Sequence, residues 1–260
     1  MKKFGDFLLI AVMAGATPLL AQTPPKRIAV SIEKKGSACE HIDHARALMA
    51  HLSATRGEAR HVAVANAAGH LGAVERTWPN DGAAIAEANV LLTRLYLDAN
   101  MPHNAVEAAT RALPRNPNDS RLHAASARAH ERLGNKSEAA AAYTRFLSTF
   151  DARRAETSEN VAALNAAAFF FEKEKQPARA ADALRQAASL DDLSPTIRVT
   201  LLLRAIEQSA LTADRQATGR TLAALRDAHR RALGTSLTPA QIELLKIAEA
   251  AIHRFEAQDK

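Results

Sequence analysis

From Cys39 onward, apolar residues recur every three or four positions, the period of an amphipathic helix. Ile42, Ala45, Leu48, Met49 and Leu52 mark one helix that ends near Arg56-Gly57. Val62, Ala65, Ala68, Leu71 and Val74 mark a second, which stops at Trp78-Pro79-Asn80-Asp81-Gly82. Together they predict a helical hairpin over residues 39–82. Beyond Ser194-Pro195, one helix is predicted through Ile197, Leu201, Leu202 and Ile206, and another through Leu222, Leu225, His229 and Leu233 up to Gly234. Thr238-Pro239-Ala240-Gln241 then combines an N-cap threonine, a proline at the first helical position and a glutamine at the third, which is a capping box. The stripe behind it is Leu244, Leu245, Ala248, Ala251, Ile252 and Phe255, with Glu243, Lys246, His253 and Arg254 on the opposite face. Residues 195–260 are thus expected to form a hairpin and a closing helix. Two stretches before Cys39 break the helical period. Phe7 to Ala16 is an unbroken apolar run, and Ile28, Val30 and Ile32 alternate with polar or small residues as a strand does.

The central third of the chain repeats itself. Leu92, Tyr96, Ala105, Ala109 and Ala112 stand 34 residues before Ser126, His130, Ala139, Tyr143 and Phe146, and the turn Asn100-Met101-Pro102 stands over Gly134-Asn135-Lys136. A third copy carries Leu164, Ala167, Ala168 and Phe171, the turn Lys175-Gln176-Pro177, then Ala180, Leu184 and Ala187. Its offset from the second copy is 41, from Ala139 to Ala180. Seven extra residues are close to two helical turns, so Asp151 to Asn160 are expected to lengthen a helix with little rotation of its apolar face.

These residues resemble the tetratricopeptide repeats, whose units place a large residue, Leu-Gly, an aromatic, alanine, a second large residue and proline at fixed offsets. Leu92, Tyr96, Ala105 and Pro117 match in the first copy. Ala127, Ala139 and Tyr143 match in the second, where His123 and His130 replace the expected large and aromatic residues, and Leu164, Ala168, Phe171, Ala180 and Leu184 match in the third. The resemblance implies an all-α fold of antiparallel hairpins stacked as a solenoid, with three repeats over 83–194. Small residues at Ala105, Ala139 and Ala180 let helices approach, and Tyr96, Tyr143 and Phe171 fill the gaps between units. The same aromatics would also suit the core of an unrelated helical bundle. In the family the first helix of each unit lines a concave groove. The positions this carries over are Val90, Arg94 and Leu97, then Ala124, Arg128 and Glu131, then Asn165, Phe169 and Glu172. Arg94 and Arg128 should stack one above the other, which calls for an acidic or C-terminal peptide segment, or for Asp98 and Glu131 to neutralise them.

Composition agrees with helices and narrows the chemistry. The 260 residues suit one extended repeat domain or two small ones, and 4% aromatics with only ten glycines and ten prolines do not describe a β-sandwich. Losing Lys2, Lys3 and Asp6 with a cleaved leader would take the net charge from +6 to +5. The arginines are spread among acidic neighbours instead of forming a basic face with aromatic platforms, so no nucleic-acid partner is expected. Lys2-Lys3, the apolar run and Thr17-Pro18-Leu19-Leu20-Ala21 resemble a secretory signal peptide. Removal of residues 1–21 is expected, with Ala14-Gly15-Ala16 as the second choice of cut. The run is shorter than the ~20 apolar residues of a membrane span, so no stable span should remain after cleavage. Residues 22–38 are read as an extended leader that either lies on the first helices or pairs as a strand with another chain. A single cysteine, Cys39, is compatible with an exported protein.

No phosphate-cradling glycine loop, zinc-protease histidine pair, nucleophile elbow or Cys-x-x-Cys pair occurs, and neither catalytic residues nor a cofactor is expected. Among the ten histidines the densest group of candidate metal ligands is Cys39, His41 and His44, with His51 one heptad further, and closed zinc sites normally offer four ligands. The leading expectation is a non-catalytic, periplasmic or secreted scaffold that binds protein or peptide partners in the groove through Val90, Arg94, Leu97, Arg128, Glu131, Asn165 and Phe169. The alternative is a periplasmic metal or redox accessory protein using Cys39, His41 and His44.

Overall fold

The structure is a computed structural model that describes residues 36–151, 157–212, 214–234 and 236–258. The expected signal peptide over 1–21, and all of the expected leader but its last three residues, lie outside the described residues. The described residues form eleven helices and no strand. Their order is α1 (Ala38–Ala50), α2 (Gly57–Thr77), α3 (Gly82–Asp98), α4 (Pro102–Ala112), α5 (Ser120–Arg132), α6 (Lys136–Thr149), α7 (Thr157–Lys173), α8 (Pro177–Ala188), α9 (Pro195–Ala210), α10 (Arg215–Leu233) and α11 (Pro239–Gln258). Consecutive helices pair as antiparallel hairpins and each hairpin packs on the next.

The helix starts carry the expected chemistry. Ser37 and Glu40 form a capping box on α1, and Asp81, Asp119, Ser194 and Asp214 each accept a hydrogen bond from a first-turn N–H of their helix. At α11 the Thr238 N–H donates to Gln241 Oε1 at 2.8 Å and the Gln241 N–H donates to Thr238 Oγ1 at 3.4 Å. Each such cap is worth about 1 kcal/mol, whereas each fully buried large side chain contributes about 1.5–3 kcal/mol. Caps therefore set boundaries, and stacking supplies most of the stability.

The repeat is visible in the backbone as well as in the side chains. Asn100, Gly134 and Lys175 have φ of +60°, +76° and +55°, at the spacings of 34 and 41 residues seen in the sequence. Each closes its turn with the same bond: the N–H of Met101, Asn135 and Gln176 donates to the carbonyl of Tyr96, His130 and Phe171 at 2.7, 2.9 and 2.8 Å. Ala105, Ala139 and Ala180 follow at equivalent positions, all with no exposed surface. With only a methyl group at each crossing, the two helices of a hairpin approach closely.

Two large apolar clusters fill the stack. One runs from Ala38 to Ala108 and ties α1 to α4; the other runs from Ala124 to Phe255 and ties α5 to α11. Between them lie small clusters, Val90–Ala112–Leu122 and Leu97–Ala105–Ala129. In the second cluster Tyr143 packs on Phe170 with ring centroids 5.1 Å apart, and its hydroxyl donates to Glu131 Oε2 at 2.9 Å.

The seven-residue insertion lengthens the helix that follows it. It does not prolong α6, which stops at Thr149; Phe150 is extended, at φ −63° and ψ 128°, and its ring stands edge-on to Phe146 at 5.6 Å. The added length that is described appears at the front of α7. That helix starts at Thr157, four residues before the position equivalent to the start of α5, and is 17 residues long against 13. Burial of Phe150 against Phe146 turns the chain out of α6 and leaves one extra turn to α7.

Candidate functional site

The first helices of the hairpins form one side of the stack, and with α6 and the front of α7 they enclose an open cleft of about 810 Å³. Its floor is built of small apolar side chains, Ala124 and Ala125 from α5 and Ala162 and Ala163 from α7. The charged lining is Arg46, Arg94, Arg121 and Arg128 against Glu87, Asp98 and Glu159, one positive charge in excess.

Most of these charges answer one another. Glu87 on α3 accepts from Arg46 on α1 at 2.7 Å and from Arg121 on α5 at 2.6 Å, so one carboxylate joins three successive hairpins. Arg121 also holds Asp119 at 3.1 Å. Glu87 and Arg121 occupy equivalent positions 34 residues apart, so an opposite-sign pair in repeat register becomes a contact between units. Arg94 pairs with Glu159 at the front of α7, reaching across α5. Arg128 is exposed on the same side and makes no ion pair among the described residues.

The expected groove residues divide accordingly. Val90, Arg94 and Arg128 line the cleft together with Ala124. Leu97 does not; it is 3% exposed and packs with Ala105 and Ala129, where a leucine completes the α3–α4–α5 crossing. Glu131 is taken up by the Tyr143 hydroxyl. Burial, and then the Glu131 carboxylate, push that phenol far above its usual range, while the Arg128 charge acts in the opposite sense. Asn165 Oδ1 accepts from Arg204 Nη1 at 3.1 Å, and Glu172 accepts from Arg204 Nη2 at 2.9 Å. Both are thus engaged by α9. Phe169 is 60% exposed and is not a lining residue of the cleft. Neither Asp98 nor Glu131 pairs with Arg94 or Arg128, so the neutralisation expected from those two carboxylates is replaced at Arg94 by Glu159. Sequence reasoning also missed Arg46, Glu87 and Arg121. The 34-residue spacing of Glu87 and Arg121 was a usable signal; Glu159 lies in the insertion and had none.

Cys39 is not brought together with the histidines considered beside it as metal ligands. Cys39 is exposed, while His41 is 4% exposed and turned into the first hairpin. Two residues apart on a helix point to nearly opposite sides, which separates Cys39 from His41. His41 Nδ1 instead lies 3.1 Å from His70 Nδ1, and the His44 ring lies 4.8 Å from that of His70. Among the described residues no group of three or more His, Cys, Asp or Glu is arranged to hold a metal ion. No described helix is long and apolar enough to cross a membrane.

No protein-family model and no curated protein matches the chain. Solved structures similar to it include MamA, at 13% identity over 66% of this chain and 92% of that one, with a TM-score of 0.44. Pseudomonas aeruginosa pilF is 15% identical over 82% of this chain and 86% of that one, with a TM-score of 0.47. BtubC from P. vanneervenii is 14% identical over 78% and 92%, with a TM-score of 0.41. By its own geometry, with left-handed turns and buried alanines recurring in register through paired helices, the chain has a tetratricopeptide-like fold.

Proposed function

We propose that this protein is a non-catalytic scaffold that holds a protein or peptide partner in the cleft of α1, α3, α5 and α7, and that it works outside the cytoplasm after losing residues 1–21. The observation that carries the reading is Arg128, an exposed guanidinium above an alanine floor, without an ion-pair partner among the described residues while the neighbouring arginines are matched. The floor admits a backbone at close range, and the open arginine favours a carboxylate, from an acidic side chain or a chain end. The charged start and short apolar run of the first 21 residues support export.

The test compares Arg128→Glu with Arg220→Glu, an exposed change on α10 away from the cleft. A partner is captured from the envelope of the exporting cell and its affinity measured for both variants. A charge-assisted contact is worth about 1.5–3 kcal/mol, so Arg128→Glu should weaken binding at least tenfold and Arg220→Glu hardly at all. Equal losses would mean that overall charge alone matters. The recovered scaffold should begin at Gln22 by N-terminal sequencing; retention of Met1 would contradict export.

A further inference from the structure

Within the first hairpin, three histidines from two helices meet, and one of them lies against the chain's single tryptophan. His41, on α1, is buried, with its ring 5.1 Å from that of His70 on α2 and 5.2 Å from that of Trp78 at the end of α2. The His44 ring lies 4.8 Å from that of His70. The polar link between the two helices here is the 3.1 Å approach of His41 Nδ1 to His70 Nδ1. Two nitrogens at that distance need one proton between them: one ring donates its N–H and the other accepts on its lone pair. A first added proton can sit on an outward Nε2 and leave that bond in place. A second would put N–H against N–H and set two cations side by side.

We propose that His41, His44 and His70 form a proton-sensitive latch, in which uptake of a second proton breaks the His41–His70 bond and frees α1 from α2. The carboxylates on the elements packed here each have another partner or role. On α1, Glu40 accepts from the Ser37 N–H and Asp43 pairs with Arg46. On α2, Glu75 pairs with Arg115, and Arg76 folds back over Gly72. On α3, which packs against both helices, Asp81 caps the helix and Glu87 is shared by Arg46 and Arg121. Asp98 lies with Arg94 in the cleft lining. Burial first, then the charges of His44 and His41, hold His70 below the ordinary histidine value of 6.5. The folded hairpin thus binds fewer protons than the unfolded chain, and its stability, complete above pH 6.5, falls as the pH drops below it.

α1 also carries Arg46, Met49 and Ala50 to the cleft, so its release would remove one wall. That consequence rests on the groove reading; the latch itself does not. The test is amide hydrogen exchange of the whole protein at pH 7.5, 6.5 and 5.5, corrected for intrinsic exchange, with Trp78 fluorescence followed in parallel. The latch predicts that α1 opens about fivefold more readily at pH 5.5 than at 6.5, that Trp78 emission changes over the same range, and that α8 to α10 do not respond. His70→Gln should flatten both responses, and His41→Gln serves where that variant fails to fold. Unchanged α1 protection in the wild type, or a folded neutral variant that responds as the wild type does, would overturn it. Partner binding at pH 7.5, weakened by Arg128→Glu or not, judges the groove separately.

Discussion

Asn100, Gly134 and Lys175 occupy one backbone conformation at equivalent places in three units, yet only Gly134 adopts it without a steric penalty. A Cβ added at Gly134 would meet nothing within 4 Å, so the cost of Gly134→Ala is purely conformational. That substitution should lower stability by about 1–2 kcal/mol. Lys175→Gly should change it the other way by less, ~0.5 kcal/mol, because the strain it relieves is offset by the greater freedom of glycine in the unfolded chain. Urea unfolding midpoints check both, and a shared sign would show that the left-handed turn is not what these positions select. His70 represents a different kind of residue effect. Its surroundings are written on another helix, and no local pattern around it announces them.

Helices in this protein owe their positions to what is absent from the side chains. Ala139 has no exposed surface at the crossing of α5 and α6, within a cluster that also holds Tyr143 and Phe146. Ala139→Leu would force three extra carbon atoms into that contact and should destabilise by about 1–3 kcal/mol, read as a lower thermal or urea midpoint. An unchanged midpoint would mean that the repeat register is wrong. Element identity was legible from the sequence because burial and periodicity agree: Leu164, Ala168 and Leu184 recur where the helical period puts them, and all are fully buried. Which helix the insertion lengthens was not. Whether seven residues extend α6 or α7 depends on where Phe150 packs, a contact decided by tertiary structure and not by helical phase. The capping box at Thr238, by contrast, involves only four consecutive residues and could be read directly.

At the scale of the whole molecule, the cleft was legible only in part. Its apolar floor and the stacking of equivalent positions follow from the repeat, which is why Val90, Arg94, Ala124 and Arg128 share it. Its charge pattern does not follow, since Arg94 meets Glu159 across an intervening helix and Glu131 turns to Tyr143. Such pairings depend on how the hairpins stack and on side-chain reach, which a one-dimensional spacing does not encode. The same holds for Leu97, which the family pattern would place in the groove but which the crossing with Ala105 and Ala129 buries. The central claim is that the partner lies along the first helices of the hairpins, over α5. It is tested most directly by amide hydrogen exchange of the wild-type protein with and without a captured partner at neutral pH. The account predicts added protection in α1, α3, α5 and the first half of α7, with no change in α8, α10 and α11. Protection concentrated on α8 to α11, with α3 and α5 unaltered, would contradict it.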